Sequence, residues 1–299
     1  MRILIGIDGS PKALDAVRLV GRLACPKADA VAFFFSPAEL ERQLPGRSAT
    51  IVEAAAAALR DEARGLLPEA CGRQAEFLTA AQPPAIGLLE TAASWRADLI
   101  VVGARGHGSI ESFLLGSVSR AVVHGAGLPV LVARRPVPEG RGLKALVCHH
   151  PASAAAVAAT VGRLHWAAGT EGRVIGVAES LLAGQLPDWV EQRVRDPDTA
   201  AIAKAWEQEH DAEVAALEGT LRTFQATLPE PFRGHPPIVA QGNPGERILE
   251  RAQADGTDLV VVGRTPTDAL SRWLLGSTSE AVLTHAQASV LIVPVEKQA

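Results

Sequence analysis

One glycine pattern occurs twice in this chain, 160 residues apart, once whole and once altered. The first copy runs Gly103-Ala104-Arg105-Gly106, then nine residues, then Gly116-Ser117. The second runs Gly263-Arg264-Thr265-Pro266, then nine residues, then Gly276-Ser277. Each follows an apolar run ending in Val-Val-Gly and precedes a helical stretch and a short apolar segment. Aligned without gaps, residues 97–136 and 257–296 share 15 identities in 40 positions, Leu-Leu-Gly-Ser among them. Accidental likeness between two apolar segments would not hold that run in register, so the chain is two related halves. Near the start of each half, Val20-Gly21-Arg22-Leu23 matches Val161-Gly162-Arg163-Leu164 at an offset of 141. The offsets differ by 19, which gives the second half about 19 additional residues in its middle. A surface connection is the expected place, and the polar stretch from Leu181 to Thr199 is the candidate. Between the halves, Arg134–Gly140 holds two prolines, a glycine and mixed charge, the composition of a linker. The expected domains are 1–136 and 141–299.

Apolar strands alternate with helical stretches in both halves, which predicts parallel sheets covered on both faces. Strands are expected near 2–8, 30–36, 74–80, 98–103 and 129–133, then near 143–149, 172–178, 236–241, 257–263 and 289–293. Helices are expected over 11–24, 48–67, 84–95 and 117–125, then over 152–167, 200–228, 244–254 and 277–286. The fold class is therefore α/β, with two tandem open parallel five-stranded sheets and helices on both faces. The net charge of −4 and pI near 6.1 predict no attraction to nucleic acid, and the apolar runs are too short to span a membrane. Cys25, Cys71 and Cys148 lie far apart and read as reduced thiols of a cytoplasmic protein. A strand begins at Arg2, so no signal peptide is expected.

In an open parallel sheet, ligands bind beyond the carboxyl ends of the strands. Those ends carry Asp8-Gly9-Ser10 after the first strand and Gly103–Gly106 after the fourth. Gly103 is expected to turn the backbone toward a ligand, and Gly106 to adopt a positive φ that turns N–H groups inward. Gly116, Ser117, Val118 and Ser119 open the next helix, where free N–H groups and the helix dipole favour phosphate and the serine hydroxyls add donors. The plainer reading is that the glycines only make turns and Ser117 is an N-cap. The full spacing, the strand before it, the helix after it and Asp8 together favour the phosphate cradle. Arg105 and His107 stand in the loop, either touching phosphate or solvated. His149-His150 at a strand end suggests a metal pair, but no cysteine or acidic cluster accompanies it. Trp166, Trp189, Trp206 and Trp273 read as packing residues, and the 200–228 helix as solvated on its charged face. Gly106-His107-Gly108 opens like a dinucleotide fingerprint, but Glu111 ends the match.

On these residues the chain resembles the universal stress protein family in its tandem two-domain form. The family's nucleotide loop, G-x2-G-x9-G-[ST], is met by Gly103, Gly106, Gly116 and Ser117. Asp8 matches the family's acidic residue beside the ribose and adenine, with Gly9 and Ser10 adjoining it. Phe35 stands where the family makes an apolar backbone contact to adenine, and Ala81 near the same wall. The resemblance implies an adenine nucleotide alpha-hydrolase-like fold of strand order 3-2-1-4-5. It implies pairing through the last strands, Val130–Val132 with Val290–Val293, as an intramolecular pseudo-dimer or a homodimer. The implied cofactor is ATP, with Mg2+ left open, and the implied partners are an adenine nucleotide and an unidentified protein. No catalytic residue and no metal ligand are expected.

The second half departs from that pattern. His149 takes the place of Asp8, and Pro266, without an N–H and unable to adopt positive φ, takes the place of Gly106. Nucleotide is therefore expected in the first half alone. The leading reading is an ATP-binding stress-response or regulatory protein with little or no catalysis. A slow ATPase or another adenine-nucleotide enzyme of this fold is the second. Asp8-Gly9-Ser10-Pro11 lacks the Ser-Gly-Gly or His-x-Gly-His loop of an adenylating enzyme, and a nucleotide-free scaffold is the third.

Overall fold

The computed structural model describes residues 1–23, 29–38, 48–105, 115–136, 139–178, 197–264 and 275–295, without the side chains of 48–49, 197–204, 206–207 and 209–210. The first half contains β1 (Arg2–Gly6), α1 (Pro11–Leu23), β2 (Ala30–Phe35), α2 (Ser48–Gly65), α3 (Glu69–Gly72) and β3 (Glu76–Thr79). It continues with α4 (Pro84–Ser94), β4 (Leu99–Gly103), α5 (Ser117–Gly125) and β5 (Val130–Ala133). The second half contains β6 (Lys144–Cys148), α6 (Ala154–Arg163), β7 (Glu171–Ala178) and α7 (Pro197–Thr227). A 3-10 turn at Glu230–Phe232, β8 (Ile238–Gln241), α8 (Pro244–Ala254), β9 (Leu259–Arg264), α9 (Ser277–His285) and β10 (Ser289–Pro294) complete it. The ten expected strands and eight expected helices are all present, with ends shifted by a few residues. The short α3 and the 3-10 turn are too brief for a periodic pattern to reveal.

The strands form one sheet ordered β3-β2-β1-β4-β5-β10-β9-β6-β7-β8. Within each half the order is 3-2-1-4-5 and every pairing is parallel. The halves meet where β5 and β10 pair antiparallel, Val132 opposite Val290, Leu131 opposite Leu291 and Val130 opposite Ile292. The two five-stranded sheets expected from the sequence are thus joined into one continuous sheet of ten, through the last-strand pairing that the resemblance implied. The reason is local: each last strand is a short, apolar edge whose bare N–H and C=O groups find partners in the other.

Residues alternate between the two faces of this sheet. Ile3, Ile5, Val101, Val147 and Val261 pack against α1, α2, α6 and α7, while Leu4, Ile100, Val102, Val260 and Val262 pack against α4, α5, α8 and α9. Both layers run the length of the sheet, so the central strands are buried on both sides and read as unbroken Val/Ile/Leu runs. The repeated aspartates hold the other end of the sheet. The Asp98 carboxylate accepts the Arg2 N–H at 2.7 Å, and that of Asp258 accepts the Lys144 N–H at 2.8 Å. Some of the second half's extra length extends a helix, since α7 has 31 residues and α2 has 18. On α7, Leu217, Leu221 and Phe224 face the core, while Asp211 and Glu213 are exposed. The expected insertion overlaps residues 181–196, which lie outside the described residues.

Two arginines brace the seam from positions that the repeat does not relate. Arg134, after β5, donates through Nη2 to the carbonyl of Leu283 in the last turn of α9. Arg264, at the end of β9, donates through Nη1 to the carbonyls of Val123 at 3.1 Å and Ala126 at 3.2 Å, at the end of α5. A cation there meets bare carbonyls and the negative end of a helix dipole. Arg120 and Glu280, equivalent positions of α5 and α9, face each other at 3.3 Å.

Candidate functional site

Asp8, Gly9 and Ser10 turn the chain from β1 into α1. Gly9 has φ +78°, which an L side chain rarely adopts, and the Ser10 N–H donates to Asp8 Oδ1 at 2.9 Å. Asp8 itself is exposed at the carboxyl edge of the sheet. The Ser10 hydroxyl, 1% exposed, accepts the Ala13 N–H at 3.3 Å as the cap of α1. It also donates to the Arg105 carbonyl at 3.2 Å. That single hydroxyl joins the loop after β1 to the loop after β4, so the two segments singled out from the sequence are adjacent.

Gly103 differs from expectation. It remains in the strand opposite Ala133, and a Cβ there would meet the backbone of Lys12 and Ala13 at 2.6 and 2.7 Å. Its missing side chain makes room for the start of α1 rather than for a ligand. Ser119 also differs: its buried hydroxyl donates to the Gly103 carbonyl at 2.6 Å and supplies no free donor. Gly116 is the N-cap of α5, in place of Ser117, and its N–H donates to the Ala104 carbonyl at 2.8 Å. Among the described residues no side chain caps α5. Its first-turn N–H groups have no partner within the helix and lie beside Ser117 and Val118, which are both exposed. Gly106 and His107 lie outside the described residues.

An apolar wall stands beyond the end of β2. Phe35, 8% exposed, lies 6.4 Å from the Phe77 ring on β3. The Ser36 hydroxyl donates to the Gln82 carbonyl at 2.8 Å and ties this wall to the segment holding Ala81, which is exposed.

On the seam side, Arg105 shares a cleft of about 350 Å³ with Lys12, Arg134, Arg135 and, from the second half, Gln287. Arg134 Nε is buried without a hydrogen-bond partner among the described residues. Burial, together with the Arg105 charge, brings the Arg134 pKa down to about 10. The basic pair Arg134-Arg135, read from sequence as linker charge, thus belongs to the site's surroundings. Its position directly after the last strand of the half was the available signal.

The second copy is built differently. His149, in the place of Asp8, is half-buried with its ring 4.9 Å edge-on from Phe224 of α7. Burial lowers its pKa, and the neighbouring His150 lowers it further. His150 Nδ1 accepts the Ala152 N–H at 3.3 Å within a turn. A Cβ on Gly263 would meet the Ser153 side chain at 2.2 Å. Gly276 caps α9 as Gly116 caps α5, and the Ser279 hydroxyl donates to the Gly276 carbonyl at 3.0 Å. Pro266 lies outside the described residues, as do Cys25, Trp189, Trp273 and the Trp206 side chain. Trp166 packs edge-on against Phe232 at 4.9 Å. Among the described residues no group of three or more His, Cys, Asp or Glu side chains is placed to hold a metal. No described helix is long and apolar enough to cross a membrane.

The model of the universal stress protein family matches residues 1–134 and 186–294. A universal stress protein of Mycobacterium tuberculosis is 33% identical over 135 residues, 44% of this chain and 45% of that protein's length. The chain thus matches just under half the length of that relative. One of Mycolicibacterium smegmatis is 30% identical over 211 residues, 67% of this chain and 63% of its own length. The crystal structure of a universal stress protein from Archaeoglobus fulgidus shares the fold, with a TM-score of 0.63, 19% identity, and coverage of 99% of this chain and 98% of that one.

Proposed function

Because the chain belongs to the universal stress protein family, we propose that its first half binds one adenine nucleotide, ATP, and that the second half is a partner that has lost the site. The observation that carries this reading is the junction of Asp8-Gly9-Ser10, Arg105 and the glycine-capped start of α5 through the Ser10 hydroxyl and the Gly116 N–H. N–H groups at a helix start suit phosphate. The Phe35 wall suits a base, and Asp8, exposed between them, suits ribose hydroxyls. In the second copy a histidine packed on Phe224 replaces the carboxylate.

The reading is of binding with little or no turnover. Hydrolysis of bound nucleotide needs a group that positions water. Asp15, the other carboxylate by the start of α1, is paired with Lys12 at 3.3 Å and Arg18 at 3.0 Å. The role that fits is regulatory, in a stress response. The buried thiols Cys71 and Cys148 support a reducing, cytoplasmic setting.

Titration calorimetry of the whole chain with ATP tests the proposal. One site per chain is expected, and Gly106→Pro, which copies the second half, should weaken binding at least tenfold with the melting temperature preserved. Two equivalent sites, or unchanged affinity in Gly106→Pro, would overturn it.

A further inference from the structure

A second cleft, of about 330 Å³, opens at the other end of the sheet, beside the amino ends of β6 and β7. It lies in the second half, under the end of α8, and Lys144, Glu171, Arg173 and Asp255 are among its lining. The repeat shows what stands in the same place in the first half. Trp95 and Asp255 are 160 residues apart, and each directly follows its helix, α4 or α8. Their backbones are nearly the same, φ −81° and ψ −3° against φ −82° and ψ −8°, so their Cβ atoms leave the chain in the same direction. The frame around them is also kept. Arg2 Nε donates to the Trp95 carbonyl at 2.8 Å, and Lys144 Nζ donates to the Asp255 carbonyl at 3.3 Å. The first half fills this frame with a flat ring: the Trp95 indole lies 4.1 Å from the Arg2 guanidinium, and its Nε1 donates to Glu76 Oε1 at 3.0 Å. The second half keeps the frame and omits the ring.

It also adds polar groups that the first half lacks. Arg173 pairs with Leu146 across β7 and β6 as Ala32 pairs with Leu4 across β2 and β1, so an arginine stands where the other copy buries an alanine. Arg173 Nη1 and Arg251 Nε both donate to Asp255 Oδ2, at 3.3 and 2.8 Å. One carboxylate therefore serves two guanidinium groups. Arg173 Nε is buried and has no hydrogen-bond partner among the described residues. A buried N–H without an acceptor is costly, which marks the place where an acceptor fits. Glu171, opposite Lys144 in the strand pair, is exposed at the cleft's edge. Leu146 and Ala254 give the cleft an apolar wall.

We propose that this cleft binds a small planar aromatic carboxylate. Its ring takes the place that the Trp95 indole fills in the first half, against Leu146 and Ala254 and beside the Lys144 ammonium. Its carboxylate accepts from Arg173 Nε and Lys144 Nζ. An apolar wall with a few converging polar groups, at this volume, is the character of a small-molecule site. The site does not rest on the nucleotide proposed above, which concerns the carboxyl ends of the strands in the other half. The second half then has a ligand of its own, gained where the repeat diverged.

Titration calorimetry of the whole chain with indole-3-acetate, indole and acetate tests this, with two variants beside the parent. Arg173→Met removes Nε and the charge at similar length. Ala254→Trp, at an exposed position of the lining, plugs the cleft with a ring and removes no charged group. The parent is expected to bind one indole-3-acetate per chain, indole about tenfold more weakly, and acetate without measurable heat. Arg173→Met should weaken indole-3-acetate about tenfold, the scale of one charge-assisted contact, and leave indole within about twofold. Ala254→Trp should weaken both at least tenfold, with a melting temperature within about two degrees of the parent. No heat from the parent at about 5 mM indole-3-acetate, well into the range of weak binding, would overturn the site. Equal binding by all three proteins would also overturn it. Acetate bound as tightly as indole-3-acetate would refute the ring's place, and indole bound as tightly would refute the carboxylate's. Weakening seen only in a variant with a lowered melting temperature would count the effect as loss of fold and overturn the proposal.

Discussion

Gly103 shows how one residue type can be right for a reason the sequence does not disclose. Its absent Cβ leaves the space in which Lys12 and Ala13 begin α1. Gly103→Ala should therefore destabilise the protein by about 1–3 kcal/mol, the scale of core overpacking, in chemical denaturation. Loss of nucleotide binding should follow as α1 shifts and the Ser10–Arg105 link breaks. A neutral effect on stability would show that the contact yields easily. His149 carries the second residue-scale prediction. Its folded pKa lies below the ordinary value of about 6.5. As pH falls, the unfolded chain takes up that proton first. The stability tied to His149 is thus whole above about pH 6.5 and is lost as pH drops through the folded pKa. Melting curves between pH 7.5 and 5 should show this decline, and His149→Gln should reduce it. Equal pH dependence in parent and variant would assign the decline elsewhere.

At the scale of elements, the two starts of α5 and α9 look alike from the sequence and are alike in structure, each capped by glycine with no side chain bonded to the first turn. What distinguishes them is the company they keep. Ser117→Asp should raise stability by about 0.3–1 kcal/mol through the dipole and, on the proposed function, weaken ATP binding at least tenfold by placing charge at the proposed phosphate position. A gain in both would contradict the cradle. Strand and helix positions were legible because the Val/Ile/Leu runs and the helical spacing answer to burial on two faces, and the Leu99–Val102 and Leu259–Val262 runs fell where expected. The loops of the site were legible as glycine and serine spacing. Less legible was the use of each group: Ser119 bonds to a carbonyl, and Arg134 and Arg135 read as linker charge. Those roles depend on contacts with residues far along the chain, which spacing does not encode.

At the scale of the molecule, the ten strands behave as one sheet because β5 and β10 close on each other. The cores on the two faces run across that join, and Arg134 and Arg264 cross it in opposite directions. Arg120 and Glu280 also meet there, with His124 at 3.5 Å from Glu280. Glu280→Arg should lower stability by about 0.5–1 kcal/mol, since an exposed pair becomes a repulsion. Adding Arg120→Glu should restore most of the loss in a double-mutant cycle. Independent, additive effects would show that the pair does not couple.

The meeting of Arg120 with Glu280 reaches beyond stability. Were a first half to join another first half by the same strand, symmetry would set arginine against arginine, and two second halves would set glutamate against glutamate. Only the mixed pair is attractive. A fused duplicate with this arrangement discriminates against its own siblings and recognises its counterpart, which leaves one copy at liberty to abandon ligand binding without losing its mate.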